Sequence, residues 1–226
     1  MNKLLAALLM ILTSSFALAQ GPYFCTGKGR TLYYERYEAG NSSKLVRTTT
    51  FEIGDSKRAA DGTTRVDYSL TVRKAGGKPM YGGKAAMYVT VDKDNNVLMD
   101  TGASLCSIVN NMVPGVKTVS DGGITVLPAD MKAGDRLPDA HSVVNAAGVK
   151  YTVDITSRKV LRSEEVTVPA GTFRAVVLRE HKIEKGPLHY RNVWGDSWYV
   201  PSLGYVRHDT YDSGLKLETV ELLVRM

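Results

Sequence analysis

The stretch RVDYSLTVR, residues 65–73, decides the fold class of this 226-residue chain. Every second side chain from Val66 to Val72 is apolar, and the side chains between them are polar or charged. A period of two is the pattern of a strand that has one face on a core and the other face in water. The stretch therefore predicts a half-buried β-strand.

Similar patterns recur along the chain. The alternation returns at residues 87–91 and 151–155, and an apolar run within residues 215–224 predicts a last strand. Residues 173–178 are more continuously apolar, which predicts a strand that is buried on both faces. Turn signals separate these runs. They include Gly40-Asn41, Asp61-Gly62, Gly76-Gly77, Asp94-Asn95-Asn96, Gly122-Gly123, Gly186-Pro187 and Ser213-Gly214.

Many short strands with frequent turns indicate an all-β fold. We expect more than ten antiparallel strands, rolled or closed into a barrel-like curved sheet with at most two short helices. Apolar residues at helical spacing predict one helix over Ala103–Met112, which Pro114 would end. Residues 113–145 form the loosest segment, which could join two halves of a sheet.

The first 19 residues have the features of an export signal. Lys3 precedes an apolar run over Leu4–Leu12, and Ala17-Leu18-Ala19 has the small-residue pattern of a cleavage site. A membrane anchor is the alternative, but the run is shorter than the about 20 apolar residues that span a bilayer. We expect residues 1–19 to be a signal peptide and residues 20–226 to form a single β-rich domain without a transmembrane segment. The exported protein would be periplasmic, at the cell surface or extracellular.

The two cysteines suggest a structural role rather than lipidation. A bacterial lipoprotein needs cysteine as its first mature residue, whereas Cys25 follows Phe24 beyond the cleavage site. We therefore do not expect a typical lipoprotein. Two cysteines in an exported protein most simply pair, which predicts a disulfide between Cys25 and Cys106. The alternative is two separate buried thiols.

Composition excludes several classes of protein. Hydrophobic residues make up 43% of the chain and charged residues 23%, which excludes a disordered tail, a collagen-like chain and a disulfide-packed miniprotein. The formal net charge is +6, but basic residues are scattered among acids. We therefore expect no nucleic-acid partner. Weak attraction to an anionic cell surface or to anionic glycans is compatible with this charge.

The sequence carries no recognisable catalytic or metal-binding motif. It has four histidines but no HExxH, CxxC or GxSxG sequence. Asp92, Asp94 and Asn96 have the spacing that opens a calcium loop, but Val97 and Ala103 stand where that loop needs glycine and glutamate. A serine triad without a local motif stays open. We assign no catalytic residue, no metal ligand and no cofactor, and we favour a non-enzyme.

Aromatic residues near the C-terminus are the most informative candidates. Tyr190, Trp194 and Trp198 share one strand parity, so they form part of a core or line a groove with polar neighbours such as Asn192. We assign Trp198 to the core. Gly195 could bulge and turn Trp194 outward. Tyr190, Asn192 and Trp194 are therefore the predicted ligand-binding residues.

Two longer motifs resemble those of a known family. VTVPAGTF at residues 166–173 and WYVPSLGYV at residues 198–206 are similar to segments of exported bacterial proteins known as domain of unknown function 3108-like, or TapB-like, proteins. The resemblance implies an exported all-β protein with a curved or rolled sheet and no assigned activity. It transfers no catalytic residue.

Three functions follow as alternatives. The favoured hypothesis is an envelope protein that binds an apolar or amphipathic ligand, or a partner protein, on a curved sheet without catalysis. The partner is unknown and could be a lipid, a glycan or an envelope protein. The second hypothesis is an envelope lipid or glycan hydrolase, and the third is a structural envelope scaffold. Candidate acids and bases for the hydrolase are Glu164, Glu165, Asp196, His208 and Asp209.

Overall fold

The computed structural model describes residues 21–226, so the predicted signal peptide at residues 1–19 lies outside the described residues. Within residues 21–226 the chain forms thirteen β-strands and one α-helix. In chain order they are β1 (Thr31–Glu38), β2 (Asn41–Arg58), β3 (Thr64–Lys74), β4 (Pro79–Val91), β5 (Val97–Asp100), α1 (Thr101–Met112), β6 (Thr118–Gly122), β7 (Ile124–Leu127), β8 (Ala140–Ala146), β9 (Val149–Val168), β10 (Gly171–Gly186), β11 (His189–Val200), β12 (Gly204–Asp212) and β13 (Leu217–Arg225).

All thirteen strands belong to one sheet, in the order β6-β8-β9-β10-β11-β12-β13-β1-β2-β3-β4-β5-β7. Every pairing between neighbours is antiparallel. The two edge strands, β6 and β7, are consecutive in the chain and only Gly123 separates them. The sheet must therefore roll until its edges approach each other. The result is a nearly closed, barrel-shaped sheet, which confirms the predicted fold class.

Individual strands follow the sequence patterns that predicted them. Residues 65–73 lie within β3, where Val66 and Val72 are buried as the alternation requires. Residues 175–178 of β10 are four consecutive buried residues, so this part of the strand is buried on both faces, as its continuous apolar run predicts. These residues belong to the same core cluster as Val66.

The helix begins two residues before its predicted start and ends at the predicted residue. It begins at Thr101 because Asp100 caps it, with the carboxylate of Asp100 accepting a hydrogen bond from the Ala103 amide at 2.8 Å. The helix packs against β4, β6 and β8, which lie near both edges of the sheet. Across residues 21–226, we find no helix with the length and apolar character needed to cross a membrane.

A buried arginine connects the two ends of the rolled sheet. Arg158 of β9 donates from Nη2 to the carbonyl of Val126 in β7 at 3.2 Å, and from Nη1 to the carbonyl of Pro138 at 3.0 Å. Its Nε donates to Glu180 Oε2 at 3.0 Å. Because β9 lies near one end of the strand order and β7 at the other, these hydrogen bonds help to hold the roll closed.

The segment before β1 crosses the interior at the end of the barrel where β11 and β12 join. The ring of Tyr23 packs edge-on against Tyr199 of β11, with centroids 6.2 Å apart. The ring of Phe24 packs against Tyr68 of β3 at 5.3 Å. Since β11 and β3 are five strands apart in the sheet, this segment links opposite parts of the barrel and makes this end apolar.

The predicted disulfide is wrong for this structure. Cys25 and Cys106 are both free. Cys25 lies in the buried core near Tyr34 of β1, whereas Cys106 lies on α1 against β4, β6 and β8. A disulfide requires Cα atoms within about 7 Å of each other. The number of cysteines predicts that a pair can form but carries no information on that distance.

Candidate functional site

The inner face of the sheet is defined by alternate residues of β1. Leu32, Tyr34 and Arg36 are buried, while the residues between them are more exposed. The antiparallel register carries this inner face across the neighbouring strands. Close to the segment that precedes β1 the inner face is apolar, with Leu32 and Val206 in the core cluster. Toward the other end of β1 it becomes polar.

The polar part of the inner face contains a row of five side chains, termed the inner cluster. They lie on five adjacent strands, each opposite the next in register. The members are Ser197 of β11, His208 of β12, Glu221 of β13, Arg36 of β1 and Arg47 of β2.

Two arginines of the inner cluster face a single carboxylate. Arg36 Nη2 donates to Glu221 Oε2 at 2.9 Å, and these side chains are only 8% and 4% exposed. Arg47 Nε lies 3.7 Å from Glu221 Oε1, beyond hydrogen-bonding distance. The same oxygen accepts a hydrogen bond from Thr49 Oγ1 at 2.9 Å. Glu221 is therefore held between β1 and β2.

The environment fixes the charge state of two members. Burial alone would raise the pKa of Glu221, but the charges of Arg36 and Arg47 outweigh this effect and lower the pKa to about 2. Burial lowers the pKa of His208 to about 3, and the charge of Arg36 acts in the same direction. At neutral pH, Glu221 is therefore ionised and His208 is uncharged.

A ladder of aromatic rings leads from the segment before β1 toward the inner cluster. Beyond the contact of Phe24 with Tyr68, the Tyr68 ring lies 5.6 Å from Phe51. Phe51 lies 5.5 Å from Tyr34, which stacks on Tyr205 at 4.6 Å. Burial raises the pKa of Tyr68 to about 12. Phe51, Tyr68 and Tyr205 pack against the core cluster, but each keeps part of its surface accessible.

Ser197 and His208 have the contact of a nucleophile and its base but not the required protonation behaviour. Ser197 Oγ lies 2.8 Å from His208 Nδ1. A general base works best when its pKa is near the working pH, whereas burial lowers the pKa of His208 to about 3. The next member, Glu221, has its carboxylate engaged by Arg36 and Thr49. The row therefore does not favour a serine hydrolase.

The ligand-binding residues predicted from sequence lie on the opposite, outer face of β11. Tyr190 is 66% exposed, and Asn192 and Trp194 are half-buried. Trp194 stacks on His181 of β10 with centroids 4.5 Å apart, and Asn192 Oδ1 lies 2.6 Å from His181 Nε2. The structure thus joins Asn192 and Trp194 through His181. Tyr190 lies at the exposed start of the strand.

Trp198 is 4% exposed and belongs to the core cluster, as predicted. The predicted bulge at Gly195 is wrong, because the pairing of β10 with β11 is regular there and the irregularity on the β12 side lies between Trp198 and Tyr199. A Cβ at position 195 would lie 2.8 Å from His208 Cε1, so glycine makes room for that ring. Trp198 is less exposed than Trp194 because the Arg207 guanidinium covers its ring, 4.6 Å from the ring centroid.

The carboxylates proposed for a hydrolase are mostly held by arginines. Asp196 and Asp209 are register partners, so two carboxylates are neighbours on the outer face. Each of them, like Glu164, accepts hydrogen bonds from two nitrogens of one arginine. The pairs are Glu164–Arg162, Asp196–Arg179 and Asp209–Arg207. Glu165 is exposed, and His208 lies on the inner face. The structure therefore does not bring these groups together as an acid–base pair.

Another surface depression and the metal-ligating side chains of the described chain do not form a better candidate site. A depression of about 530 Å³ lies between β2, β3 and β4, but its charged groups pair with one another, as in Arg65–Asp67 and Lys84–Glu52. Within the part of the chain that the structure describes, no group of three or more His, Cys, Asp or Glu residues is placed to hold a metal ion.

Sequence reasoning named only His208 of the inner cluster, because the members come from two groups of consecutive strands, β1–β2 and β11–β13, at opposite ends of the described chain. Two signals were present. Arg36 shares the parity of Leu32 and Tyr34, so a charge stands at a core-facing position of β1. Glu221 interrupts the apolar run of the last strand. Charged residues are rarely buried unless they are paired, so such positions mark a partner elsewhere in the chain.

Comparison with known proteins agrees with the two sequence motifs. The DUF3108-like family matches residues 27–223, which confirms the resemblance read from residues 166–173 and 198–206. No curated protein matches the sequence significantly.

Two solved structures share the fold. One is a protein from Bacteroides fragilis that is inferred to be exported and has a YmcC-like fold, with 21% identity, a TM-score of 0.70, and coverage of 91% of this chain and 98% of that chain. The other is an inferred lipoprotein from Parabacteroides distasonis, with 17% identity, a TM-score of 0.72 and the same coverage. At these identities the likeness shows the fold alone.

Proposed function

We propose that this chain, which belongs to the DUF3108-like family, is an exported binding protein that holds an amphipathic molecule on the inner face of its rolled sheet. In this proposal the protein performs no catalysis. Export rests on the signal peptide that residues 1–19 predict.

The observation that carries the proposal is the aromatic ladder beside the inner cluster. Phe51, Tyr68 and Tyr205 face the interior but retain accessible surface. Apolar pockets with a few convergent polar groups are the usual form of a small-molecule site. Here the rings offer apolar contact, and Arg36 and Arg47 of the inner cluster, whose Nε atoms have no hydrogen-bond partner, offer polar contact. An amphipathic molecule matches both parts of this surface.

The outer residues Tyr190, Asn192 and Trp194 remain a second proposed site, for a partner protein or a glycan. The stack of Trp194 on His181 supports it, because aromatic faces at a surface suit such contacts. A structural scaffold would need neither face to bind a small molecule. These alternatives differ in which substitutions affect ligand uptake.

The test measures uptake of N-phenyl-1-naphthylamine, a neutral apolar probe, by its fluorescence. Leu70 is half-buried on the inner face, opposite Phe51 in register. Leu70→Trp should fill part of the interior and weaken probe binding by about tenfold. Trp194→Ala, the matched change on the outer face, should leave probe affinity unchanged. Circular dichroism checks that both variants keep the sheet.

The outcomes separate the alternatives. If Trp194→Ala abolishes uptake and Leu70→Trp does not, the binding site is the outer one. If the wild-type protein takes up no probe, and native mass spectrometry of protein from its own host detects no bound molecule, the proposed function is wrong.

A further inference from the structure

We infer that the inner cluster receives an acidic headgroup, a carboxylate or a phosphate monoester, at one end of the bound amphipathic molecule. This inference rests on the proposed function and adds the chemical class of the ligand.

The charges of the inner cluster do not balance. Arg36 and Arg47 face one carboxylate, that of Glu221, and burial keeps His208 uncharged at neutral pH because it lowers the pKa to about 3. One positive charge is therefore left over, among side chains that are 4% exposed for Glu221, 8% for Arg36 and 23% for Arg47. Burying an unbalanced charge is costly, so the site favours an anion.

The hydrogen bonds of the inner cluster are also incomplete. Arg36 Nε and Arg47 Nε are buried, and neither donates a hydrogen bond to any acceptor within residues 21–226. Arg36 as a whole is 6% exposed, and its Nη1 and Nη2 already donate to Thr210, Thr219 and Glu221. An acidic headgroup would supply acceptor oxygens to the two remaining donors. Arginine is well suited to bind such groups through paired N–H donors.

The position of the two arginines sets the direction of the ligand. Along β1 the inner face carries Leu32, then Tyr34, then Arg36, which changes it from apolar to charged within one strand. Tyr205 spans the transition, since its ring stacks on Tyr34 and its hydroxyl lies 3.5 Å from Glu221 Oε2. An acid bound at Arg36 and Arg47 would therefore extend its apolar part along the aromatic ladder.

A purely structural network is the competing interpretation. In that case the arginines only join β1, β2 and β13, and the inner face would not distinguish an acid from a neutral molecule of the same shape. The two interpretations therefore differ in ligand selectivity, whereas both expect some loss of stability when an arginine is removed.

The experiment compares dansylaminoundecanoic acid with its primary amide by fluorescence titration at neutral pH and low salt. The wild-type protein should bind the acid about tenfold to a hundredfold more tightly, the range expected for a charge-assisted hydrogen bond. Arg47→Gln should bring the two affinities to within about threefold. Arg47→Lys, which keeps the charge, should retain part of the preference. The control Arg65→Gln changes an exposed arginine that pairs with Asp67, and it should leave the preference unchanged.

Each outcome bears on the inference. Equal affinity of the wild-type protein for acid and amide overturns the acidic headgroup but leaves the proposed function standing. Binding of neither probe overturns both. A preference for the acid that survives Arg47→Gln in folded protein also overturns the assignment to the inner cluster. Displacement of the acid probe by dodecanoic acid or by dodecyl phosphate supports the inference and shows which acid the site prefers.

Discussion

The inner cluster and the outer face of β10–β12 both contain arginines paired with carboxylates, but the ratio of arginines to carboxylates differs between them. On the outer face each carboxylate has its own arginine, as in Arg179–Asp196, where two hydrogen bonds of 2.6 and 2.7 Å join the pair. On the inner face Arg36 and Arg47 share Glu221. The outer arginine is 31% exposed and can also be hydrated, whereas the Arg36 and Arg47 side chains are 8% and 23% exposed.

This difference separates a structural ion pair from a candidate binding site. A paired and partly hydrated arginine has its hydrogen bonds satisfied without a ligand. A buried arginine whose Nε has no partner lacks one hydrogen bond, which an acceptor on a ligand would supply. To distinguish a binding site from a structural ion pair, the ratio of arginines to carboxylates and their burial are therefore more informative than the presence of an ion pair.

The largest expected effect comes from removing the shared carboxylate. Glu221→Gln leaves Arg36 and Arg47 without a balancing charge in a buried place, so it should lower the free energy of unfolding by about 3–5 kcal/mol. Chemical denaturation followed by circular dichroism measures this loss. The control is Asp67→Asn, which removes the partner of Arg65 from an exposed ion pair and should cost about 0–1 kcal/mol. Similar losses for both variants would contradict the contrast between the two faces.

The two tryptophans of β11 should differ in how much each contributes to stability. Trp198→Ala removes a core side chain and should cost about 3–5 kcal/mol. Trp194→Ala removes a half-buried ring that stacks on His181, and it should cost about 1 kcal/mol. Denaturation curves of the two variants give the difference. In Trp198→Phe protein the remaining Trp194 emission should be readily quenched by acrylamide, and a well-shielded emission would instead place Trp194 in the core.

A pH dependence that belongs to the inner cluster should be a smaller effect than those of Glu221→Gln and Trp198→Ala. Burial lowers the pKa of His208 from 6.5 to about 3 in the folded protein, so the unfolded chain binds a proton first as the pH falls. The stability contributed by neutral His208 is full above pH 6.5 and is lost progressively as the pH falls toward 3. Between about pH 7 and pH 5 we expect a loss of about 1–2 kcal/mol.

Chemical denaturation at several pH values, compared between variants, checks this prediction. His208→Gln should remove most of the dependence in that range, whereas His189→Gln, at an exposed position, should keep it. Glu221 adds to the loss only at lower pH, because its pKa falls from 4.5 to about 2 on folding. An unchanged slope in His208→Gln protein would show that another group titrates.

Much of the fold was predictable because it depends on local patterns. The alternation at residues 65–73 predicted β3, and the continuous apolar run at residues 173–178 predicted a strand buried on both faces. The helix ended at Met112 as its spacing predicted. The motifs at residues 166–173 and 198–206 led to the correct family. In each case the spacing of apolar side chains or a short motif is enough to predict the element or the family.

The candidate site was less predictable because it depends on contacts between distant strands. Parity predicted that Asn192 and Trp194 share one face of a strand, but it did not predict their common contact with His181, because only the register of β10 with β11 brings the three residues together. The pairing of Cys25 with Cys106 failed for the same reason. The number of thiols is a property of the chain, and their separation is a property of the folded sheet.

The sequence by itself determined that this protein is all-β, that its strands alternate between a core and a solvent-facing side, and which family it resembles. These features follow from residue spacing, which the backbone converts directly into sheet faces. Only the tertiary structure decided that the edges β6 and β7 approach each other and that Arg36, Arg47 and Glu221 meet inside. Arg36 and Glu221 are 185 residues apart in the chain and 2.9 Å apart in the fold, because the register of β1 with β13 places them opposite each other.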